Sequence, residues 1–233
     1  DSVMNYPFRD AILGFLTGAN PADMMECIMN ILENYPPQTI HCLMNHIGTH
    51  DTERALTVLA GEPSGSRGRE WQSRQKLSPE QRQRGLKLLR LASLLQYTLP
   101  GVPCIYYGDE AGLEGYRDPF NRGTYPWGKE DQELVAWYRT LGKIRKKCPA
   151  LAESGMVPFL AEKDCFAFMR IGKEQAVLVA VNRAASPQTI HVPYEWNQVK
   201  ALLGSVPEND RLRLEPYGYS MLLLEASPEE DGE

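Results

Sequence analysis

The fold of this 233-residue chain is decided by the stretch LPGVPCIYYGDE, residues 99–110. Its central part, Gly101 to Tyr107, is apolar throughout, which is typical of a strand buried on both faces of a parallel sheet. A helix is predicted before it, because the capping sequence SPEQ at 78–81 is followed by apolar residues at helical spacing. Polar residues follow directly, at the carboxyl end of the predicted strand. The stretch therefore predicts one α/β unit of a parallel sheet.

Two similar units lie upstream. Short apolar runs at 2–6 and 39–44 are interpreted as strands, the second of them buried. Helical patterns cover residues 7–16, 21–32 and 131–147, whereas residues 61–76 show no periodicity and are interpreted as a loop. The β-α order, with one extra helix after the first unit, predicts a parallel sheet with helices packed on it. Three such units are too few to close an eight-stranded barrel.

The sequence pattern changes after Pro149. Short runs of β-forming residues alternate with turn residues at 165–171, 175–182, 189–192, 199–203 and 219–224. This spacing predicts a small antiparallel sheet or sandwich. We therefore expect an α/β region at 1–147, an antiparallel β domain at 148–226 and an acidic tail at 227–233.

Composition argues against several classes of protein. A hydrophobic fraction of 42% is typical of globular proteins, and a net charge of −5 argues against a nucleic-acid-binding protein. The longest apolar run, Ala176 to Val181, is too short for a membrane span, and no signal-peptide pattern follows Asp1. Scattered cysteines without a C-x-x-C pair favour a reducing, cytoplasmic location. We expect Cys42 and Cys104 to be buried as small hydrophobic residues.

Polar side chains collect after the second and third predicted strands. These segments read NHIGTHDTER at 45–54, GDE at 108–110 and DPFNR at 118–122. In parallel α/β folds ligand sites form at the carboxyl ends of the strands. Carboxylates, a histidine and arginines at such an edge suit a substrate rich in hydroxyl groups. From these residues alone, hydrolysis and sugar binding both stay open.

The histidines raise the alternative of a metal-dependent hydrolase built on His46, His50 and Asp51. The sequence does not favour it, because the pattern is not H-E-x-x-H and is predicted to lie at a strand end instead of on a helix. His41 is expected to be a core or sheet histidine. No loop rich in Asp, Asn and Gly suggests calcium. We therefore expect no metal and no cofactor.

The same segments carry a resemblance to a known family. Residues 45–54 resemble the fourth conserved region of the α-amylase family (glycoside hydrolase family thirteen), and residues 99–110 resemble its eighth barrel strand. The DPFNR motif, followed by YPW at 125–127, is similar to the neopullulanase and cyclomaltodextrinase branch. The resemblance implies the C-terminal part of a (β/α)8 TIM barrel, strands six to eight with their helices, followed by an antiparallel β-sandwich domain.

The resemblance also implies roles for individual residues. Asp51 corresponds to the carboxylate that stabilises the cationic transition state, and His50 to a residue that binds hydroxyls of the same sugar. Asp118 and Arg122 match the pair that binds the next glucose. Tyr6 and Arg54 are weaker candidates for substrate contact.

The carboxylates that act as nucleophile and general acid in the family come from barrel strands four and five, which would lie upstream of residue 1. A retaining glycosidase needs these two groups about 5–5.5 Å apart. The resemblance places Asp109 and Glu110 in a structural role instead. We therefore expect a parent enzyme that hydrolyses starch, maltodextrin or cyclodextrin, and no activity from this chain alone. A non-catalytic carbohydrate-binding or assembly module that reuses the fold is the alternative.

Two further expectations concern packing. Three strands cut from a barrel leave two sheet edges unpaired, and unpaired edges recruit other strands. We therefore expect the chain to self-associate, to swap elements, or to cover an edge with the 61–77 loop or the β domain. Trp127 and Trp137 are expected to pack between helix and barrel, and Tyr194 and Trp196 at an edge or interface in preference to a sugar-stacking platform.

Overall fold

A computed structural model describes residues 3–193 and 199–225. Its helices are α1 (Tyr6–Thr17), α2 (Pro21–Asn34), α3 (Pro37–His41), α4 (Ala55–Ala60), α5 (Arg69–Arg74), α6 (Pro79–Thr98), α7 (Gln132–Lys147) and α8 (Pro149–Glu153). Its strands are β1 (Met44–Asn45), β2 (Val102–Pro103), β3 (Gly155–Glu162), β4 (Cys165–Ile171), β5 (Gln175–Asn182), β6 (Gln188–His191), β7 (Lys200–Gly204), β8 (Arg211–Leu214) and β9 (Tyr219–Glu225). The predicted acidic tail, Tyr194 and Trp196 lie outside the described residues. Every described helix is too short or too polar to span a lipid bilayer.

Three extended segments lie parallel and side by side in the first part of the chain. Strand β1 is the middle one: Met44 pairs with Val102 of β2, and Met4 forms a parallel bridge to Met44 on the other side. Helices α1, α4 and α6 contact one another, and their buried side chains include Phe8, Leu56 and Leu89. This is the predicted parallel α/β arrangement.

Two predicted strands are much shorter than the sequence suggested. The first half of the run at 39–44 belongs to helix α3, because Pro37 occupies a first helical position and the backbone N–H of Cys42 bonds back to the carbonyl of Thr39 (3.0 Å). The prediction of a strand there, with Cys42 buried, was wrong: Cys42 is exposed and His41 lies on the helix. Strand β2 pairs over only two residues, and Val102 is 50% exposed because β2 is the outer strand among the described residues.

The helix predictions are confirmed and have local causes. The side chain of Asn20 accepts a hydrogen bond from the backbone of Ala22 (3.1 Å) and starts α2. Ser78 and Gln81 form the predicted capping box at the start of α6. Within α6 a Cβ on Gly85 would lie 2.6 Å from the Cβ of Ala60, so glycine allows α4 and α6 to approach closely. Helix α5 was not predicted; it interrupts the segment interpreted as a loop.

The described residues from 155 to 225 form two antiparallel sheets. One has the strand order β3-β4-β5-β9-β7, and the other pairs β6 with β8. Alternate residues of the larger sheet face opposite ways: Phe166 and Phe168 pack toward the helices, whereas Ala167 and Leu178 join a core with Leu212 of β8. The predicted β sandwich is therefore present. Strands β3 and β8 were missed by the sequence analysis.

Two arginines bond to backbone carbonyls near the end of α6, and one of them, the buried Arg170, joins the two parts of the chain. Arg170 of β4 is fully buried and donates to the carbonyl oxygens of Thr98, at the end of α6, and of Gly155 (2.6 and 3.2 Å). Arg145 of α7 donates to the carbonyls of Tyr97 and Gly101 (2.6 Å each). Cations suit this position, because the carbonyls at a helix C-terminus carry partial negative charge. Burial lowers the pKa of Arg170 to about 9, which leaves it charged at neutral pH.

Candidate functional site

The loop after β1 and the loop after β2 are bound to each other at the carboxyl ends of the parallel strands. Asn121 is fully buried, and its side-chain amide donates to the carbonyl oxygens of His50 (2.8 Å) and Thr52 (2.7 Å). The guanidinium Nε of Arg122 also donates to the carbonyl of His50 (3.2 Å). The structure thus brings the predicted site residues at 50–51 and 118–122 together.

His50 and Asp51 form an exposed pair on the first loop. The Nε2 atom of His50 lies 3.3 Å from Oδ1 of Asp51, and about 60% of each side chain is exposed. The backbone N–H of Asp51 donates to the hydroxyl of Thr49 (3.2 Å), which fixes the turn that presents the carboxylate. Both side chains are accessible to a ligand at this edge.

Asp118 and Arg122 form a second pair on the other loop. Their Oδ1 and Nε atoms lie 3.1 Å apart across a short 3-10 turn, and each side chain is about half exposed. A carboxylate beside a guanidinium offers acceptors and donors side by side, which matches neighbouring hydroxyls of a sugar.

Tyr6 reaches the site from the start of α1. Its hydroxyl lies 3.4 Å from that of Thr49, and its ring meets the ring of His46 edge-on at 4.7 Å. His46 is 2% exposed, neither ring nitrogen has a hydrogen-bond partner in the structure, and burial lowers its pKa to about 4. His46 is therefore neutral at pH 7 and supports Tyr6 by packing.

Arg54 lies beneath the surface, where it cannot touch a bound ligand. Its side chain is 1% exposed, its Nη1 atom is 3.2 Å from Oδ1 of Asp109, and it also donates to the carbonyl of Tyr107. The guanidinium stacks over the ring of Tyr106 at 4.2 Å. The structure thus places Arg54, a weaker candidate for substrate contact, as a support for the loop after β2. Burial raises the pKa of Asp109 to about 7 despite this partner.

The described residues contain no group of three His, Cys, Asp or Glu side chains that could hold a metal ion. His46 is buried against Tyr6, whereas His50 is exposed beside Asp51. This arrangement gives no support to the alternative of a metal-dependent hydrolase.

Sequence reasoning missed the polar residues that hold the strands in register. Asn5 donates to the side-chain oxygen of Asn45 (3.0 Å), and Asn45 donates to the carbonyl of Pro100 (2.7 Å). Gln96 of α6 donates to the carbonyls of Asn45 and Cys104 (3.1 and 2.8 Å). The sequence offered one sign of these contacts, which is an amide side chain within or near each predicted strand.

The two tryptophans of this region differ from each other. Trp137 packs as predicted, with its indole N–H donating to the hydroxyl of Ser93 (2.9 Å). Trp127, expected to pack as well, is 81% exposed and contacts the ring of Tyr125 at 4.6 Å.

Comparison with known proteins gives two family matches. The model of the alpha amylase catalytic domain matches residues 1–154, and that of the maltogenic amylase C-terminal domain matches residues 158–221. The amylopullulanase of Thermoanaerobacter thermohydrosulfuricus is 37% identical over 182 residues, which are 73% of this chain and 12% of that protein. The cyclomaltodextrinase of Geobacillus thermopakistaniensis is 30% identical over 241 residues, covering 97% of this chain and 37% of its own length.

A solved structure agrees with these matches. The cyclic α-maltosyl-(1→6)-maltose hydrolase of Arthrobacter globiformis superposes with a TM-score of 0.76 at 27% identity, over 97% of this chain and 44% of that one. The chain thus spans less than half the length of each of these proteins. The predicted resemblance and fold class are confirmed. The chain belongs to the α-amylase family and comprises the C-terminal part of its (β/α)8 barrel, strands six to eight with their helices, followed by a small antiparallel β domain.

Proposed function

We propose that this chain supplies the sugar-binding and transition-state-stabilising part of an α-glucan hydrolase that acts on starch, maltodextrin or cyclodextrin. The observation that carries the proposal is the joining of two exposed polar pairs, His50–Asp51 and Asp118–Arg122, through the bonds of Asn121 and Arg122 to the carbonyl of His50. The names of the relatives, amylopullulanase and cyclomaltodextrinase, support the choice of substrate.

In this proposal Asp51 acts on the transition state. Cleavage of a glycosidic bond develops positive charge on the sugar ring, and a fixed carboxylate beside it lowers the energy of that state more than that of the substrate. His50 is 3.3 Å from the carboxylate and shares its exposure, so it can hold the carboxylate in place and bind a hydroxyl of the same sugar.

Asp118 and Arg122 bind the neighbouring glucose in this proposal, and Tyr6 contributes a hydroxyl and an aromatic edge at the wall of the site. Arg54 is a positioning residue, because its bonds to Tyr107 and Asp109 fix the loop after β2. Replacing it would disturb the site through that loop.

We further propose that the chain is inactive by itself. The buried carboxyl of Asp109 is bound to Arg54 and is 2% exposed, so it is not available as a nucleophile. The nucleophile and the general acid would come from other parts of the parent protein.

We also propose that the chain divides into an α/β region at 1–147 and a β domain at 148–226. The alternative of a non-catalytic sugar-binding module predicts a parent protein without those two acids.

The deciding experiment is the Asp51→Asn substitution in the full-length parent protein. We expect a loss of several orders of magnitude in kcat on maltooligosaccharides with an unchanged circular dichroism spectrum, because the carboxylate acts only in the transition state. Asp23→Asn, an acid on the exposed side of α2, is the matched control and should retain full activity. Turnover retained in Asp51→Asn would refute the assigned role.

A further inference from the structure

A cavity lies beside the candidate site. Its volume is about 460 Å³, and most of its lining residues belong to the segments 61–77 and 114–123, with Thr57 and Gln81 beside them. Both walls are therefore supplied by the described part of this chain. One wall contains Pro119, Phe120 and Gly123, whereas Asp118 and Arg122 do not line it. The cavity is thus adjacent to the candidate site and separate from it.

The lining of this cavity is polar, with aromatic residues on one side. It contains the amides and carboxylates of Gln72, Gln75, Gln81, Glu62 and Glu114, together with the rings of Tyr116 and Phe120. Each acid has a basic neighbour: Glu62 lies 2.7 Å from Arg67, and Glu114 lies 3.8 Å from Lys76. Because the charges are matched, the cavity favours a neutral ligand with many hydroxyl groups over an anion or a cation.

Gln72 provides an independent sign of a missing partner. Its Nε2 atom donates to the carbonyl of Arg67 (2.9 Å), but its Oε1 atom is buried and has no hydrogen-bond partner in the structure. Buried acceptors without a partner are rare in native proteins. Gln72 lines the cavity, so a rotation of its side-chain amide would bring this oxygen to a ligand hydroxyl placed there.

We propose that this cavity is a second sugar site that binds one or two glucose units of an α-glucan. The choice of glucose rests on the proposed function, whereas the polarity and matched charge are features of the cavity itself. Its volume lies in the range of about 300–1,000 Å³ that is usual for small-molecule sites. A sugar in it contacts Pro119 and Phe120, so it restrains the loop that carries Asp118 and Arg122. Binding at the two sites is therefore coupled, and the coupling is reciprocal.

Titration of the whole chain with maltose, followed by NMR and calorimetry, tests the proposal. We expect the side-chain amide signals of Gln72 to shift, and Gln72→Leu to weaken binding in the cavity about fivefold through loss of one acceptor. Gln83→Leu, an exposed glutamine on α6 away from the cavity, is the matched control. Since Gln72→Leu also removes the bond to Arg67, Ser73→Trp at the cavity wall provides a second variant, which should abolish binding by filling the space.

The outcomes separate this proposal from the proposed function. Shifts at Gln72 that persist in Asp118→Ala support a separate site. Shifts confined to residues 50–52 and 118–122 overturn the second site and leave the proposed function standing. A cavity filled by water only, with no shift at Gln72 and unchanged affinity in both cavity variants, overturns the second site as well. Absence of any shift contradicts both proposals.

Discussion

Replacing His46 with phenylalanine should make the fold more resistant to acid. The imidazole is 2% exposed, lies against the ring of Tyr6 and has no hydrogen-bond partner, so its charged form is poorly solvated in the folded chain. Burial, with a smaller contribution from Arg9, lowers the pKa of His46 from 6.5 to about 4. The unfolded chain therefore binds a proton between these values that the folded chain does not.

The sign and size of the effect follow from this difference. Because the pKa of His46 is lower in the folded state, its contribution to stability is present above pH 6.5 and is lost as the pH falls toward 4. Between pH 8 and pH 5 the loss is about 2 kcal/mol for these two pKa values, and well below pH 4 it approaches about 3 kcal/mol. Asp109, whose pKa is raised to about 7, gives a slope of the opposite sign over this range. The useful quantity is therefore the difference between variant and wild type, in which the contribution of Asp109 cancels.

Urea unfolding followed by circular dichroism at pH 8, 6.5 and 5 measures this difference. The free energy of unfolding of His46→Phe, relative to that of wild type, should increase by about 2 kcal/mol as the pH is lowered from 8 to 5. His41→Phe on α3 removes a histidine outside the site and serves as the matched control for the loss of an imidazole. A flat difference profile for His46→Phe would show that the imidazole is solvated and that the packing described here is wrong.

Three further predictions concern the supports of the site and the exposed edges. Arg170→Met should lower the free energy of unfolding by about 3 kcal/mol, measured by urea unfolding, because the carbonyls at the end of α6 lose buried charged donors. Asn121→Ala should weaken maltohexaose binding about tenfold, measured by calorimetry, because the loop at 118–122 loses two hydrogen bonds to the loop after β1. Asn34→Ala, at the exposed end of α2, should leave binding unchanged. The chain should self-associate, with a mass by light scattering that rises with concentration above 26.3 kDa, and Val102→Lys should reduce this association by blocking one edge. A constant mass at all concentrations would count against unpaired edges.

The sequence was sufficient where the signal was local. The capping box at Ser78 is formed by residues within one helical turn, and it was predicted at the right position. Strands β4 and β5 were predicted with their observed bounds because each consists mostly of apolar residues and is bounded by turn residues. The fold class followed from motifs after the strands, which is a resemblance and not a derivation from periodicity.

The sequence failed where tertiary neighbours decide the structure. The apolar run before β1 predicted a strand, but Pro37 and the turn at Cys42 make it helical up to His41. Val102 looked like a buried core residue, yet burial depends on a strand on its far side, and among the described residues β2 pairs only with β1. The burial of Arg54, a weaker candidate for substrate contact, against Asp109 could not be predicted either, because side-chain direction after a turn cannot be derived from spacing.

Our proposal that this segment binds sugar without cleaving it has a physical basis in the hydrogen bonds that support the two exposed pairs. The groups that fix the two exposed pairs, Asn121 and Arg122, bond to backbone carbonyls of this same chain, so the geometry of the pairs is set within the described residues. The side chains of Met4 and Val102, at the two edges of the parallel segments, are exposed and lack a neighbouring strand among the described residues. Sugar binding needs only the two exposed pairs that this chain holds in place, whereas hydrolysis with retention also needs two further carboxyl groups across the site. In our proposal the contacts that recognise the glucan are therefore preorganised within this chain, and the bond-breaking chemistry depends on closure of the barrel around it.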